Sequence, residues 1–526
     1  MSQHSQNTDQ SSRQQKPEHT TQAAAQRHQG SPQIARPTTN EPTAWCAYWQ
    51  AQNQPWRTEP EIDAERQRYL SERRSITPDI ERGVYPFKSE KLKRADVEWL
   101  LATHEGGKGP IDWRDEKQQT RKGLDFRGAN FCNANLMNLP LTRLRGGLKL
   151  DEWINATEEQ RRAATVSIKK TALFEAHLEG ADLIGAHLEG DGLSWAHLEG
   201  ADLTGAHLEK ALLGEAHLER VYLNEAYLEE ADLAGAHLEG TALGKAHLEG
   251  ANLSWAHLEG ANLAGAHLEG ANLFGAHLEG ANLSWAHLEE ARLVGASLEG
   301  TQLSDIILGN KMHIGPQTAD VRWSTTNLAV IDWSQVTTLG DEKMAQQVKT
   351  SYGKIKDGKM YLDEYRAAVR ANRQLAVALQ AQGLNEEAAH FAYRAQLMQR
   401  VVLRRFVYLP GRSLFQRVRA FGSFIFSWFL DILAGYGYHP AKTLLWYLLM
   451  IGGFATAYTV FGHLPPFPDA VVFSFMSFHG RGFFPSLAGE TNLHNPLVVL
   501  AAAEAVTGLF IEISFIATFT QRFFGK

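Results

Sequence analysis

Between residues 171 and 305 a leucine recurs at every fifth position, 27 times without exception from Leu173 to Leu303. A period of five fits neither a helix nor a plain strand, so the chain must turn inside every pentad. Two residues before nearly every leucine stands an alanine, as in Ala176 and Leu178, and that spacing points both side chains to one side of an extended segment. The remaining positions are polar or glycine and turn the chain. The pattern predicts a coil of short sides closed around leucine, each residue contributing roughly 1.5–3 kcal/mol before chain entropy is subtracted. No unit buries its apolar face alone, so stacking completes the core. Asp191 and Val221 break the small-residue rule and mark places where stacking loosens.

The repeated phrase A(D/N)LxG, as in AHLEGADLIGAHLEG at residues 176–190, resembles the pentapeptide-repeat family over about 135 residues. The resemblance implies a mainly β fold: a right-handed, four-sided β-helix, a solenoid with four pentads per coil and helical flanks. The 27 pentads would then form nearly seven coils, a rod on the order of 35 Å long.

Composition divides the rest of the chain. Residues 1–44 are rich in Gln, Ser, Thr and Pro and read as a disordered tail without a secretory signal. Residues 45–123 read as a small helical cap, 124–143 as a first coil carrying Phe126, Phe131, Leu136 and Leu141, and 144–165 as a helical excursion with Thr157 and Gln160 as a capping box. The main block runs over 166–335, with remnants at ADVRW and LAVID. Residues 340–405 read as a helical hairpin broken at Gly383, and 406–442 as an amphipathic segment lying in a membrane interface. Cys46 and Cys132 are too few for a disulfide framework, so a reducing compartment is expected.

Residues 443–462 hold no charge over twenty positions and 497–520 form a second apolar stretch, both long enough to span a bilayer. Basic residues flank their outer ends, which predicts a two-span, multi-pass membrane protein with both termini cytoplasmic. Between them lies DAVVFSFMSFHGRGFFP. This helix, short re-entrant helix, turn and helix resembles the two-helix pore-loop module of potassium-type channels. The resemblance implies a homotetramer, a filter at Phe478, His479, Gly480, Arg481 and Gly482, and Gly508 as the inner-helix hinge. The filter departs from the family's TVGYG, keeping only its two glycines. Glu504 and Glu512 lie within the second span and are expected to face protein or water.

The decapeptide rule places histidines on two opposite faces of a four-sided coil. One ladder is His177, His197, His217, His237, His257 and His277; the other is His187, His207, Tyr227, His247, His267 and His287. A glutamate stands two residues after each. A solvated surface pattern is the first reading of these ladders, with proton sensing and zinc binding as the others; no metal or cofactor is assigned. Trp195, Trp255 and Trp285 occupy the last position of their pentads and are expected to pack at corners.

Charge is unevenly spread. Residues 171–305 hold 23 Asp and Glu against Lys210, Arg220, Lys245 and Arg292, a net of -19 within a chain of net -7. No HExxH, GxSxG or phosphate-binding GxxxxGKS motif is present, so no enzyme is expected. The first functional reading is a membrane-anchored scaffold or sensor whose cytosolic β-helix stands on a degenerate channel-like module, with a lipid bilayer and an unidentified cytosolic protein as partners. The alternatives are a conducting channel regulated by the rod, and an acidic mimic of DNA, since some pentapeptide-repeat proteins resemble the duplex in charge and width. Direct binding to nucleic acid is not expected.

Overall fold

The computed structural model describes residues 34–312, 314–350, 353–408, 413–438, 440–462, 468–479 and 496–523. Most of the expected N-terminal tail and the Gly480–Gly482 turn lie outside them.

Twelve α-helices are formed among the described residues: α1 Pro42–Ala51, α2 Ala64–Arg74, α3 Arg94–Ala102, α4 Leu150–Asn155, α5 Glu158–Ala164, α6 Gly340–Gln346, α7 Gly358–Ala381, α8 Asn385–Val407, α9 Leu414–Ala434, α10 Pro440–Gly462, α11 Asp469–Phe478 and α12 Pro496–Phe523. Between α5 and α6 the chain winds into stacked coils. Each side of a coil meets the side above through a single parallel bridge between residues twenty apart, such as His177 to His197, Asp182 to Asp202, His187 to His207 and Gly192 to Leu212. Leu178 N–H donates to the His197 carbonyl at 2.7 Å, and His197 N–H to that of Ala176 at 2.9 Å.

The expected mainly β fold is corrected here. Among the described residues no β-strand or sheet forms, the bridges are isolated single residues, and the regular elements are helical; the right-handed β-helix solenoid is not what the backbone makes. The reason lies in the pentad. After each leucine the chain turns, with Ala181 N–H donating to the Leu178 carbonyl at 3.0 Å and the fifth residue left-handed, Gly180 at φ +62°. A turn every five residues leaves one residue per side to bridge, too few for a strand. The turn is of the type that favours glycine at its third position.

Inside the stack the Ala and Leu positions are almost completely buried. Where threonine replaces alanine it stays satisfied: Thr241 Oγ1 donates to the Leu218 carbonyl at 2.7 Å. The first coil, with Phe126, Phe131, Leu136 and Leu141 buried, stacks directly on the main block through bridges such as Asn135 to Ala172 and Pro140 to His177. The excursion bearing α4 and α5 is simply looped out. Helix α5 is capped by Thr157, whose side chain accepts from Gln160 N–H.

At the other end the register lengthens by a pentad, with Arg292 bridging Gln317, and the α7–α8 hairpin closes the stack. Asp341 at the head of α6 accepts from Thr318 N–H at 2.6 Å. Buried Glu342 pairs with Arg394 on α8 and accepts from Asn372 on α7, and Gln382 donates to the Thr326 carbonyl at 2.7 Å. Burial pushes the Asp341 carboxyl up to about 6.

Asp191 is the exception in the core. Its side chain is fully buried and Oδ1 accepts from Thr171 N–H at 2.9 Å, while Oδ2 finds no partner. Burial pushes its pKa up to about 8. Because the folded value lies above the unfolded one, the carboxyl's contribution to stability is complete below about pH 4 and is lost as pH rises through about 8. Asp191→Asn keeps the acceptor for Thr171 without the charge. It is expected to raise the melting temperature by about 5 °C at pH 8.5 and to leave it unchanged at pH 4; thermal melts showing the same shift at both values would refute the assignment.

Candidate functional site

The stack brings the outward histidines into two ladders. Ring centroids in the first lie 4.7–5.0 Å apart with planes within 9°. In the second they lie 4.6–5.0 Å apart, Tyr227 taking the third place between His207 and His247. Each bridging residue lies beside an inward leucine, so its side chain projects outward at the coil spacing. His177 Nδ1 meets Glu179 Oε1 at 2.9 Å; that hydrogen bond holds the His177 pKa above its ordinary value. Thr142 of the first coil donates to the other Glu179 oxygen at 3.0 Å. Further along, His197, His207, His217, His237, His247 and His267 stand 3.2–3.5 Å from their own glutamates, and His187 and His257 do so at 3.4 and 3.5 Å. From Glu189 to Glu289 the second carboxylate oxygen of each of these glutamates is buried without a hydrogen-bond partner.

The other two sides carry a different row. Asn272 donates to Asn252 at 2.9 Å and Asn252 to Asp232 at 2.8 Å, a side-chain chain running along the rod. Trp195, Trp255 and Trp285 sit at left-handed corners and are 47, 58 and 60% exposed. Trp255 does pack at its corner, edge-on to Phe274 at 5.3 Å and over Gly275. Arg292 lies 5.1 Å from the Phe274 ring.

The C-terminal helices hold the remaining sequence-derived residues. Phe478 is buried and meets Tyr447 edge-on at 4.9 Å. His479 Nε2 lies 3.2 Å from Glu512 Oε1, and its Nδ1 lies 2.8 Å from the Phe475 carbonyl. Glu504 is fully buried: Tyr458 on α10 donates to it at 2.6 Å, and the Ser474 hydroxyl on α11 donates to its other oxygen. Gly480, Arg481 and Gly482 lie outside the described residues. Tyr447 and Tyr458 were not anticipated from sequence; a phenol spaced along an otherwise apolar helix opposite a carboxylate is the signal that marks them.

Gly508 lies inside α12, which runs unbroken from Pro496 to Phe523. It is a close approach: a Cβ there would stand 2.2 Å from the Phe478 carbonyl oxygen. Gly508→Ala is therefore expected to cost about 1–3 kcal/mol by overpacking, read as a lower melting temperature of the detergent-solubilised protein. Val506→Ala, on an exposed side of the same helix, should melt like the parent; equal melting of both variants would rule out the close approach.

Comparison with known proteins shows that a pentapeptide-repeat domain is present. The family model for pentapeptide repeats (8 copies) matches residues 211–250, 251–289 and 271–310. Among solved structures the chain is similar to HetL, a pentapeptide repeat protein involved in heterocyst differentiation regulation from the cyanobacterium Nostoc sp. strain PCC 7120. The identity is 28%, covering 40% of this chain and 93% of that one at a TM-score of 0.19. It is also similar to QnrB1, a plasmid-mediated fluoroquinolone resistance protein, at 16% identity, 35% and 95% coverage and a TM-score of 0.17. A third is AT2G44920, a pentapeptide repeat protein from the Arabidopsis thaliana thylakoid lumen, at 27% identity, 22% and 72% coverage and a TM-score of 0.13. No curated protein matches.

Two expectations are corrected by these findings. No resemblance to a potassium-type channel or a pore loop is shown. The scaffold or sensor built from a cytosolic β-helix on a channel-like module is thereby withdrawn. So is the two-span, multi-pass localisation with both termini cytoplasmic. The helices disagree with it as well: three of them, over Leu414–Gly437, Ala441–Phe461 and Val498–Ile516, are long and apolar enough to cross a membrane. The segment expected to lie flat in an interface contains the first of these.

Proposed function

We propose that the protein is a non-catalytic binding protein whose acidic rod enters the cationic groove of a DNA-binding protein in place of a duplex. The carrying observation is charge density. Residues 171–305 bear a net of -19 on coils of twenty residues, and at about 4.8 Å per coil that is one negative charge about every 1.7 Å. Duplex DNA carries one charge per about 1.7 Å of its axis. The charge is also ordered, because the glutamates project from opposite faces once per coil. Such a surface recruits basic partners electrostatically and does so less strongly as salt rises.

Lipid is the partner that fits the other end. Helices α9, α10 and α12 leave Phe421, Phe426, Trp428, Leu448, Phe461 and Phe510 exposed, an apolar surface far larger than isolated exposed residues account for.

Displacement of a fluorescent duplex from basic DNA-binding proteins by the purified full chain tests the main reading. Displacement is expected at 50 mM salt, to weaken by at least about tenfold at 200 mM, and to be lost when Glu199, Glu209, Glu219, Glu229, Glu239 and Glu249 are all changed to Gln. Absence of displacement at low salt, or equal potency of the Gln variant, would sink the idea.

A further inference from the structure

Duplex mimicry uses the glutamates and leaves the histidines without a task, yet the two are matched almost one to one. In the first ladder six histidines stand beside Glu179, Glu199, Glu219, Glu239, Glu259 and Glu279; in the second, five stand beside six glutamates, Tyr227 taking the place beside Glu229. Imidazole is the side chain whose charge ordinarily changes between about pH 5 and 8. Protonating these eleven histidines would bring the net charge of residues 171–305 from -19 to -8. On coils about 4.8 Å apart, one negative charge about every 1.7 Å then becomes one about every 4 Å, more than twice the duplex spacing.

The geometry permits that change. The histidine side chains are 27–43% exposed, so protons reach them from solvent, and a carboxylate oxygen lies 2.9–3.8 Å from every Nδ1. Ring centroids along each stack are 4.6–5.0 Å apart, so stacked imidazoliums would repel, but each has a nearer carboxylate to offset that repulsion. Neighbouring charges leave the balance acidic. Arg114, from the loop before the first coil, faces His177, and Lys169 pairs with Glu189 at 3.3 Å. Above His277 comes Ser297, with Glu299 two residues on, and above His287 the uncharged Ile307. At the left-handed corners Lys210, Arg220 and Lys245 are outnumbered by Glu175, Glu215, Glu225, Glu230 and Glu290, and Lys210 is itself paired with Glu230 at 3.5 Å.

We propose that the two ladders gate the rod by protons: it holds cationic partners at neutral pH and releases them on acidification, when the histidines neutralise the glutamates beside them. The proposal rests on the reading of the rod as a duplex mimic and adds its regulation. It requires no conformational change, because the turns and the leucine core carry none of the titrating groups.

The test uses a fluorescent oligo-arginine peptide, which stays cationic throughout this range, bound to the purified full chain at 50 mM salt. Its affinity is expected to fall at least about tenfold between pH 7.5 and pH 5.5, with a cooperative thermal melt retained at pH 5.5. Changing His197, His207, His217, His237, His247 and His267 together to Asn should shrink that ratio to below about threefold. Asparagine already bridges its neighbours from the same pentad position at Asn252 and Asn272, so the coil accommodates it. A second readout needs no variant: at pH 6.5 the wild-type chain should release more than about one proton per peptide bound, counted by calorimetry in two buffers of different ionisation enthalpy. Equal affinity at both pH values, an undiminished ratio in the variant, no proton release, or a rod already melted at pH 5.5 would overturn the gate. Duplex displacement at pH 7.5 decides mimicry separately: its absence alongside pH-dependent peptide binding would remove the mimicry and keep the gate.

Discussion

Everything in the central body depends on the pairing of an inward leucine with a left-handed residue two positions later. The leucine supplies the apolar contact that stacking completes, and the left-handed residue reverses the chain quickly enough to bring the next leucine inward. Glycine takes that corner most cheaply, yet Glu175, Trp195, Lys210, Arg220 and Lys245 adopt it too. The stack's hydrogen bonds and apolar contacts therefore exceed the modest strain of a non-glycine corner. Cooperation between coils, rather than local preference, holds those positions.

Because the core uses only two of five positions, the surface is free to follow a rule of its own. The histidine–glutamate alternation is such a rule, and its consequences are set by the coil: residues ten apart fall on opposite faces, residues twenty apart stack ring on ring. Where the alternation ends, at Ile307 and Ser297, the ladder loses its outer clamp and its geometry relaxes. Both ends show it: His277 and His287 each stand 3.6–3.9 Å from two carboxylates, although the residues that form these places are those of the repeat.

The C-terminal helices obey a different economy. Their packing is thin and mostly apolar, and the fully buried carboxylate of Glu504 joins three helices by accepting from Tyr458 on α10 and Ser474 on α11. Gly508 lets the end of α11 press against α12. These contacts fix how the short helix sits between the two long ones. They give no support to a conducting pore.

The sequence by itself determined the pentad turn, the inward leucines, the two histidine ladders and the acidic charge of the block, because each follows from periodicity along the chain. It misled on the class of fold, since a side that turns every five residues bridges its neighbour at a single residue and never becomes a strand. It also misled on the number of long apolar helices, because the scattered arginines of the segment before residue 442 obscured a continuous helix over Leu414–Ala434. Only the tertiary structure decided that the first coil stacks on the main block across a looped-out excursion. It also decided that Gly508 lies against the end of α11, and that His287 stands between two carboxylates. Those depend on distances between residues remote in sequence, and no period along the chain encodes them.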